Sequence, residues 1–195
     1  MKTNAVYDYS RQNDLTNNFN QFWNKALKTV NKDYLEILTT DDPVELKKAV
    51  SNINNLMTLR VTLGFIDKLS SLGIINREQA ISIRKSVDAQ HPNTNGYDVF
   101  DEECKIIAEV KCNIPVEKNR FGAAQENAIK KDLHGLWHGK NKGGINNTDD
   151  YYKFMVIQDV ALAREAMKAI CDDLCVELTD NNIDTNHIYI VYIKL

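Results

Sequence analysis

Asp98, Glu109 and Lys111 are the residues of this sequence whose types and spacing could do chemistry. Paired carboxylates can hold a cation, and a ligand set made only of oxygens favours a hard one such as Mg2+, with Mn2+ as a substitute. Cutting a phosphodiester calls for such a metal, to polarise the phosphoryl oxygen and lower the pKa of an attacking water. It also calls for a cation to offset the charge that builds on the phosphate. On this reading Asp98 and Glu109 hold the metal, and the main-chain carbonyl of Val110 is available as a further ligand. Lys111 orients or deprotonates the water, or stabilises the transition state. The sequence does not choose between those roles.

A hairpin must position these three. Tyr97–Phe100 reads as a short strand, Asp101-Glu102-Glu103 as a polar turn, and Cys104–Cys112 as a second strand rich in β-branched and aliphatic residues. Residues two apart in a strand share a face, so Glu109 and Lys111 project together with Ile107 and Lys105. Ala108, Val110 and Cys112 then point into the core. A turn centred between Glu103 and Cys104 sets Asp98 opposite Glu109. The competing reading is an exposed cross-strand ion pair, worth at most about 1 kcal/mol. Against it, Ile106, Ile107, Ala108, Val110 and Ile114 surround the charges, and burying three charges without a task is costly.

The elements around the hairpin follow from periodicity. Phe19, Phe22, Trp23, Ala26, Leu27 and Val30 recur at helical spacing. Asp42-Pro43-Val44-Glu45 has the residues of a helix start, and Leu46, Val50, Ile53, Met57, Val61 and Phe65 continue an apolar stripe with a break expected near Asn54-Asn55. Asn76 with Gln79 opens another helix toward Val87, although Ile81 and Ile83 also allow a strand over 80–87. His91–Gly96 is a run of turn formers that no helix can cross. Gly122 to Trp137 returns to helix, with Ala124, Ala128, Ile129, Leu133, Leu136 and Trp137 on its apolar side. After a Gly- and Asn-rich loop over 139–147, Tyr152–Ile157 reads as a buried strand, Val160–Leu174 as a helix and His187–Lys194 as a last strand. The order β-β-α-β-α-β behind a helical lead-in predicts an α/β fold with a mixed central sheet. Residues 1–90 form a helical N-terminal region packed on the same domain, and 91–195 the core.

The chain has 195 residues, 43% hydrophobic and 26% charged, which suits one globular domain. No apolar run approaches the roughly 20 residues of a membrane span, and the polar N-terminus lacks an apolar signal segment, so a cytoplasmic location is expected. Cys104, Cys112, Cys171 and Cys175 are then expected as reduced thiols. Cys171 and Cys175 have no second pair to complete a zinc site. Net charge is −3, yet 111–144 carries seven basic against three acidic residues, a net +4 that leaves −7 for the rest. By itself that segment reads as a solvated lysine-rich surface, but it follows the suspected site directly.

Gly96-Tyr97-Asp98, ten intervening residues, then Glu109-Val110-Lys111 resembles the PD-(D/E)xK motif of the restriction-endonuclease-like nuclease superfamily. Tyr97 stands where that motif has its proline, and the strand that usually precedes the aspartate strand is not evident. The resemblance covers about 97–195. It implies a mixed sheet flanked by helices, with Asp98 and Glu109 as metal ligands and Lys111 as the catalytic lysine. It further implies a Mg2+-dependent endodeoxyribonuclease most similar to a small type II restriction endonuclease, acting on DNA as a homodimer. A repair or junction-cleaving nuclease is the first alternative, and a catalytically inactive DNA-binding or interaction protein on the same fold the second. Members often add a polar residue from the helix after the lysine strand, here Gln125 or next Lys130, or an acid from an N-terminal helix, here Glu45 or less readily Glu78. Asn113, Lys118 and Arg120, with Lys130 and Lys131, are candidate phosphate contacts, which would contribute salt-dependent affinity without sequence information. His134 and His138 have the i, i+4 spacing of a metal pair but lack a third ligand, and read better as phosphate contacts or plain surface.

Overall fold

The computed structural model describes residues 10–34, 42–89, 96–115, 120–140, 145, 147–171 and 173–195. They form an α/β fold of five helices and a five-stranded mixed sheet, and the chain divides into two compact units, 1–52 and 53–195.

In the first unit, α1 (Ser10–Leu27) is followed by a loop folded back on it. Asn20 Oδ1 accepts from the Tyr34 N–H at 2.8 Å, and Asn24 Oδ1 accepts from the Lys32 N–H at 3.1 Å. Trp23 packs edge-on to Phe19 and tilted against Tyr34. Val30 does not extend the helical stripe as expected. The backbone enters positive φ at Lys28, which ends the helix, and leaves Val30 84% exposed.

Helix α2 (Asp42–Ser71) runs unbroken through Asn54-Asn55. The expected break is absent because asparagine is only about 0.7 kcal/mol worse than alanine in a helix. Burial is confined to its C-terminal half, at Val61, Thr62, Phe65, Ile66 and Leu69, whereas Val50 and Ile53 of the expected stripe are exposed. Helix α3 (Arg77–Ala89) starts with a reciprocal capping box. The Asn76 N–H donates to Gln79 Oε1 at 2.8 Å, and the Gln79 N–H to Asn76 Oδ1 at 2.9 Å. That box excludes the alternative strand over 80–87. Ala80 and Ile83 are buried at helical spacing while Ile81 is exposed.

The sheet contains β1 (Val99–Asp101), β2 (Ile106–Lys111), β3 (Tyr152–Gln158), β4 (Cys175–Glu177) and β5 (Ile188–Ile193), in the order β1-β2-β3-β5-β4. Only β1 and β2 are antiparallel; the other neighbours are parallel. Both faces are covered, which is why β2, β3 and β5 read as continuous apolar runs. The C-terminal half of α2 and α3 pack on one face with Ala108, Val110, Phe154, Val156 and Val191. On the other, α4 (Ala123–His138) and α5 (Ala161–Lys168) pack against Ile107, Met155, Ile157 and Ile190.

Three expectations need correction here. Strand β2 is shorter than 104–112, because Cys104 and Lys105 belong to the turn, Lys105 at φ 53°. Helix α5 stops at Lys168 rather than Leu174, and Cys175–Glu177 forms a strand instead, too short to show alternation. Ala124 and Ala128 of α4 face solvent, since Ile129 and Leu136 set its inward side. No described helix is long and apolar enough to cross a membrane.

Candidate active site

The hairpin turn fixes the register that the site depends on. Asp101 Oδ1 accepts from the Cys104 N–H at 2.6 Å, and β1 pairs with β2 so that Val99 faces Ala108 and Asp101 faces Ile106. One step further along the same ladder lies Asp98, opposite Glu109, with the Asp98 N–H donating to the Ala108 carbonyl at 3.0 Å. Beyond Val99 the strand has ended, and Asp98 Oδ2 takes the place of a backbone acceptor, receiving the Val110 N–H at 2.7 Å. The Asp98 carboxylate is thereby pinned beside the residue between Glu109 and Lys111. The Val110 side chain points away into the α2 core.

Glu109 projects from the opposite face of β2, under α4, and is only 4% exposed. There the structure adds two groups that the sequence reading missed. Asp132 of α4 lies 2.6 Å from Lys111 Nζ through Oδ2. Lys140 Nζ, just past the helix end, lies 2.5 Å from Glu109 Oε1 and 3.2 Å from Asp132 Oδ1. Lys111 Nζ is itself 4.0 Å from Glu109 Oε2. Three carboxylates and two ammoniums therefore share one partly buried cluster. Lys140 also sits over the Tyr97 ring at 5.1 Å, and the Tyr97 hydroxyl donates to the Gly135 carbonyl at 2.9 Å, tying the start of the hairpin to α4. Asp132 was legible in principle: three residues after Ile129 and four before Leu136, it is a charge inside the inward stripe of α4. Lys140 carried no periodic signal, because it follows the glycine that ends the helix.

Burial sets the proton affinities. It pushes the Asp98 carboxyl above its usual range, against the opposing pull of the Val110 N–H and Lys111. Burial and then the nearby Asp98 charge raise Glu109 to about 7, with Lys140 pulling the other way. For Lys111, burial acts downward, but the Asp132 contact and the other carboxylates outweigh it and hold the ammonium above its usual value. The Tyr97 hydroxyl rises to about 12 through burial and the Glu109 charge.

Among the described residues no group of three or more His, Cys, Asp or Glu side chains is spaced to hold a metal. The lysine ammoniums lie within ion-pair reach of both Glu109 and Asp132, the third carboxylate. Asp98 and Glu109 fit a hard divalent cation by chemistry: both are oxygen donors, both are desolvated, and the Asp98 charge adds to the cost of ionising Glu109, which a cation would relieve.

Gln125 shares the inward stripe of α4 with Ile129, Asp132 and Leu136, and its Oε1 is buried without a hydrogen-bond partner. Arg120, Lys130 and Lys131 are exposed, and Lys130 pairs with Glu126 at 2.5 Å. Asn113 is half-buried just past β2, Glu78 is exposed in the first turn of α3, and Lys118 lies outside the described residues. Glu45, in the first unit, is exposed and pairs with Lys48 at 2.7 Å. His134 and His138 lie tilted against each other on the exposed side of α4, ring centres 4.3 Å apart. Lys153, a lysine inside the apolar run of β3, is buried under the Trp137 ring, donating to the carbonyls of Tyr151 at 3.0 Å and Thr185 at 2.7 Å. Those neutral partners make it structural.

No protein-family model matches the sequence, and no curated protein or solved structure matches it.

Proposed function

We propose that this chain is a divalent-metal-dependent endodeoxyribonuclease of the restriction-endonuclease-like kind. The observation that carries the reading is the meeting of Asp98 and Glu109 across the β1-β2 register, with the Lys111 ammonium beside them in a desolvated setting. An antiparallel hairpin followed by a helix and a parallel strand is also the arrangement the motif resemblance implies. A divalent cation held by Asp98 and Glu109 would supply the polarisation of the phosphoryl oxygen and the activation of water.

The side chains have distinct tasks in this scheme. Because Asp132 holds Lys111 protonated, Lys111 acts by stabilising charge on the phosphate rather than by taking a proton. The Val110 N–H holds the Asp98 carboxylate in place without using its second oxygen. Gln125 Oε1 is an acceptor able to orient a water or a substrate group. Arg120, Lys130 and Lys131 contact DNA phosphates, and a homodimer supplies one site for each strand. A type II restriction role rests on the motif resemblance.

Incubation of plasmid DNA with Mg2+ or Mn2+ tests the reading. Cleavage is expected, and Asp98→Ala or Lys111→Ala should lower its rate by about 10^2-fold or more with the fold intact by circular dichroism. Unchanged cleavage in both variants would remove the site assignment. No cleavage of plasmid, single-stranded or branched DNA would leave a DNA-binding protein on this scaffold. Discrete fragments with defined ends indicate restriction, and structure-dependent nicks indicate repair.

A further inference from the structure

Lys140 is placed in the cluster by a dedicated feature of α4. Gly135 sits inside the helix, where glycine costs about 1 kcal/mol relative to alanine. A Cβ there would meet Lys140 Cε at 2.5 Å and Lys140 Cγ at 3.1 Å, with Lys140 Cδ next at 3.4 Å. The lysine stem therefore lies across bare helix backbone, and this route brings Nζ to Glu109 and Asp132.

Formal charge shows what the lysine does there. Asp98, Glu109 and Asp132 against Lys111 and Lys140 leave a net −1. Without Lys140 the cluster carries −2, which one divalent cation cancels. A divalent cation added with both lysines in place gives +1 in a poorly solvated site, which is unfavourable. A phosphodiester, with one negative charge, restores neutrality when Lys140 turns from Glu109 to the phosphate.

We propose that Lys140 is a resident counter-cation at Glu109 that a divalent metal must displace and that an arriving phosphate draws away, so that metal loading is coupled to substrate binding. This rests on the metal-dependent reading above and adds a regulatory role for a residue outside the motif.

Mn2+ binding to the full chain, followed by electron paramagnetic resonance without DNA, tests it. Asp98→Asn defines the signal that belongs to this site. Lys140→Met should bind Mn2+ about tenfold more tightly than wild type, as expected if the lysine leaves the site open about a tenth of the time. Gly135→Ala should act in the same direction while keeping the lysine, because the new methyl group displaces a flexible stem. Since alanine also favours helix, this variant decides the matter if Lys140→Met fails to fold. A phosphorothioate duplex should tighten Mn2+ binding by the wild type and not by Lys140→Met. Equal or weaker binding by Lys140→Met and Gly135→Ala, with the Asp98→Asn difference still present, overturns the proposal and leaves the metal-dependent reading standing. No Asp98-dependent Mn2+ signal in wild type or either variant removes both.

Discussion

The Asp132 carboxylate on α4 lies 2.6 Å from the Lys111 ammonium on β2, so a helix residue governs the charge of the strand lysine. Asp132→Asn keeps the shape and removes that hold, and the Lys111 ammonium should then lose its proton more readily. Cleavage should fall by about 10- to 100-fold, mostly in kcat, as for other groups that support a metal site from behind. The alkaline limb of the pH–rate profile should also move to lower pH. A loss of rate with an unmoved profile would assign Asp132 to packing alone.

Asp98 has two separable jobs, as an acceptor for the Val110 N–H and as a negative charge. Asp98→Asn retains an acceptor oxygen, whereas Asp98→Ala leaves the Val110 N–H without its partner at a cost of about 1–3 kcal/mol. Both variants should abolish Mn2+ binding, and only the alanine variant should show reduced stability in urea denaturation. Equal stability of the two would mean that water replaces the carboxylate.

Glu109 makes stability depend on pH. Its folded pKa of about 7 exceeds the usual 4.5, so between those values the folded protein binds more protons than the unfolded chain. The stabilising contribution is therefore complete below about pH 4.5 and is lost as pH rises through 7. Asp98, shifted in the same direction, adds to the trend. The Tm of the metal-free wild type should fall from about pH 5 to about pH 8 more steeply than that of Glu109→Gln, and added Mn2+ should reverse the fall at the upper end. Parallel Tm curves for the two proteins would contradict the assignment.

Lys131 and Lys130 are adjacent and both exposed, but Lys130 is paired with Glu126 at 2.5 Å. If both meet DNA phosphates, Lys131→Ala should reduce the slope of log affinity against log salt concentration by about 1, and Lys130→Ala by less. Fluorescence anisotropy with Ca2+ in place of Mg2+ measures this. Identical slopes for wild type and Lys131→Ala would place the DNA contact elsewhere.

The sequence by itself determined the local geometry of this protein. Strand geometry set which residues share a face, and the polar turn read at Asp101–Glu103, centred between Glu103 and Cys104, set the register that brings Asp98 opposite Glu109, although the turn itself extends through Lys105. Both are short-range consequences of strand geometry and turn chemistry, and so was the Asn76–Gln79 cap. Only the tertiary structure decided what completes the cluster. Asp132 and Lys140 lie 23 and 31 residues after Glu109, and they reach it because α4 packs across β2 and a glycine lets one lysine stem cross the helix. The position of a charge across a helix–sheet interface depends on packing depth and crossing direction, which residue spacing does not encode. The same holds for β4, whose three residues become a strand only because β5 offers them a parallel edge.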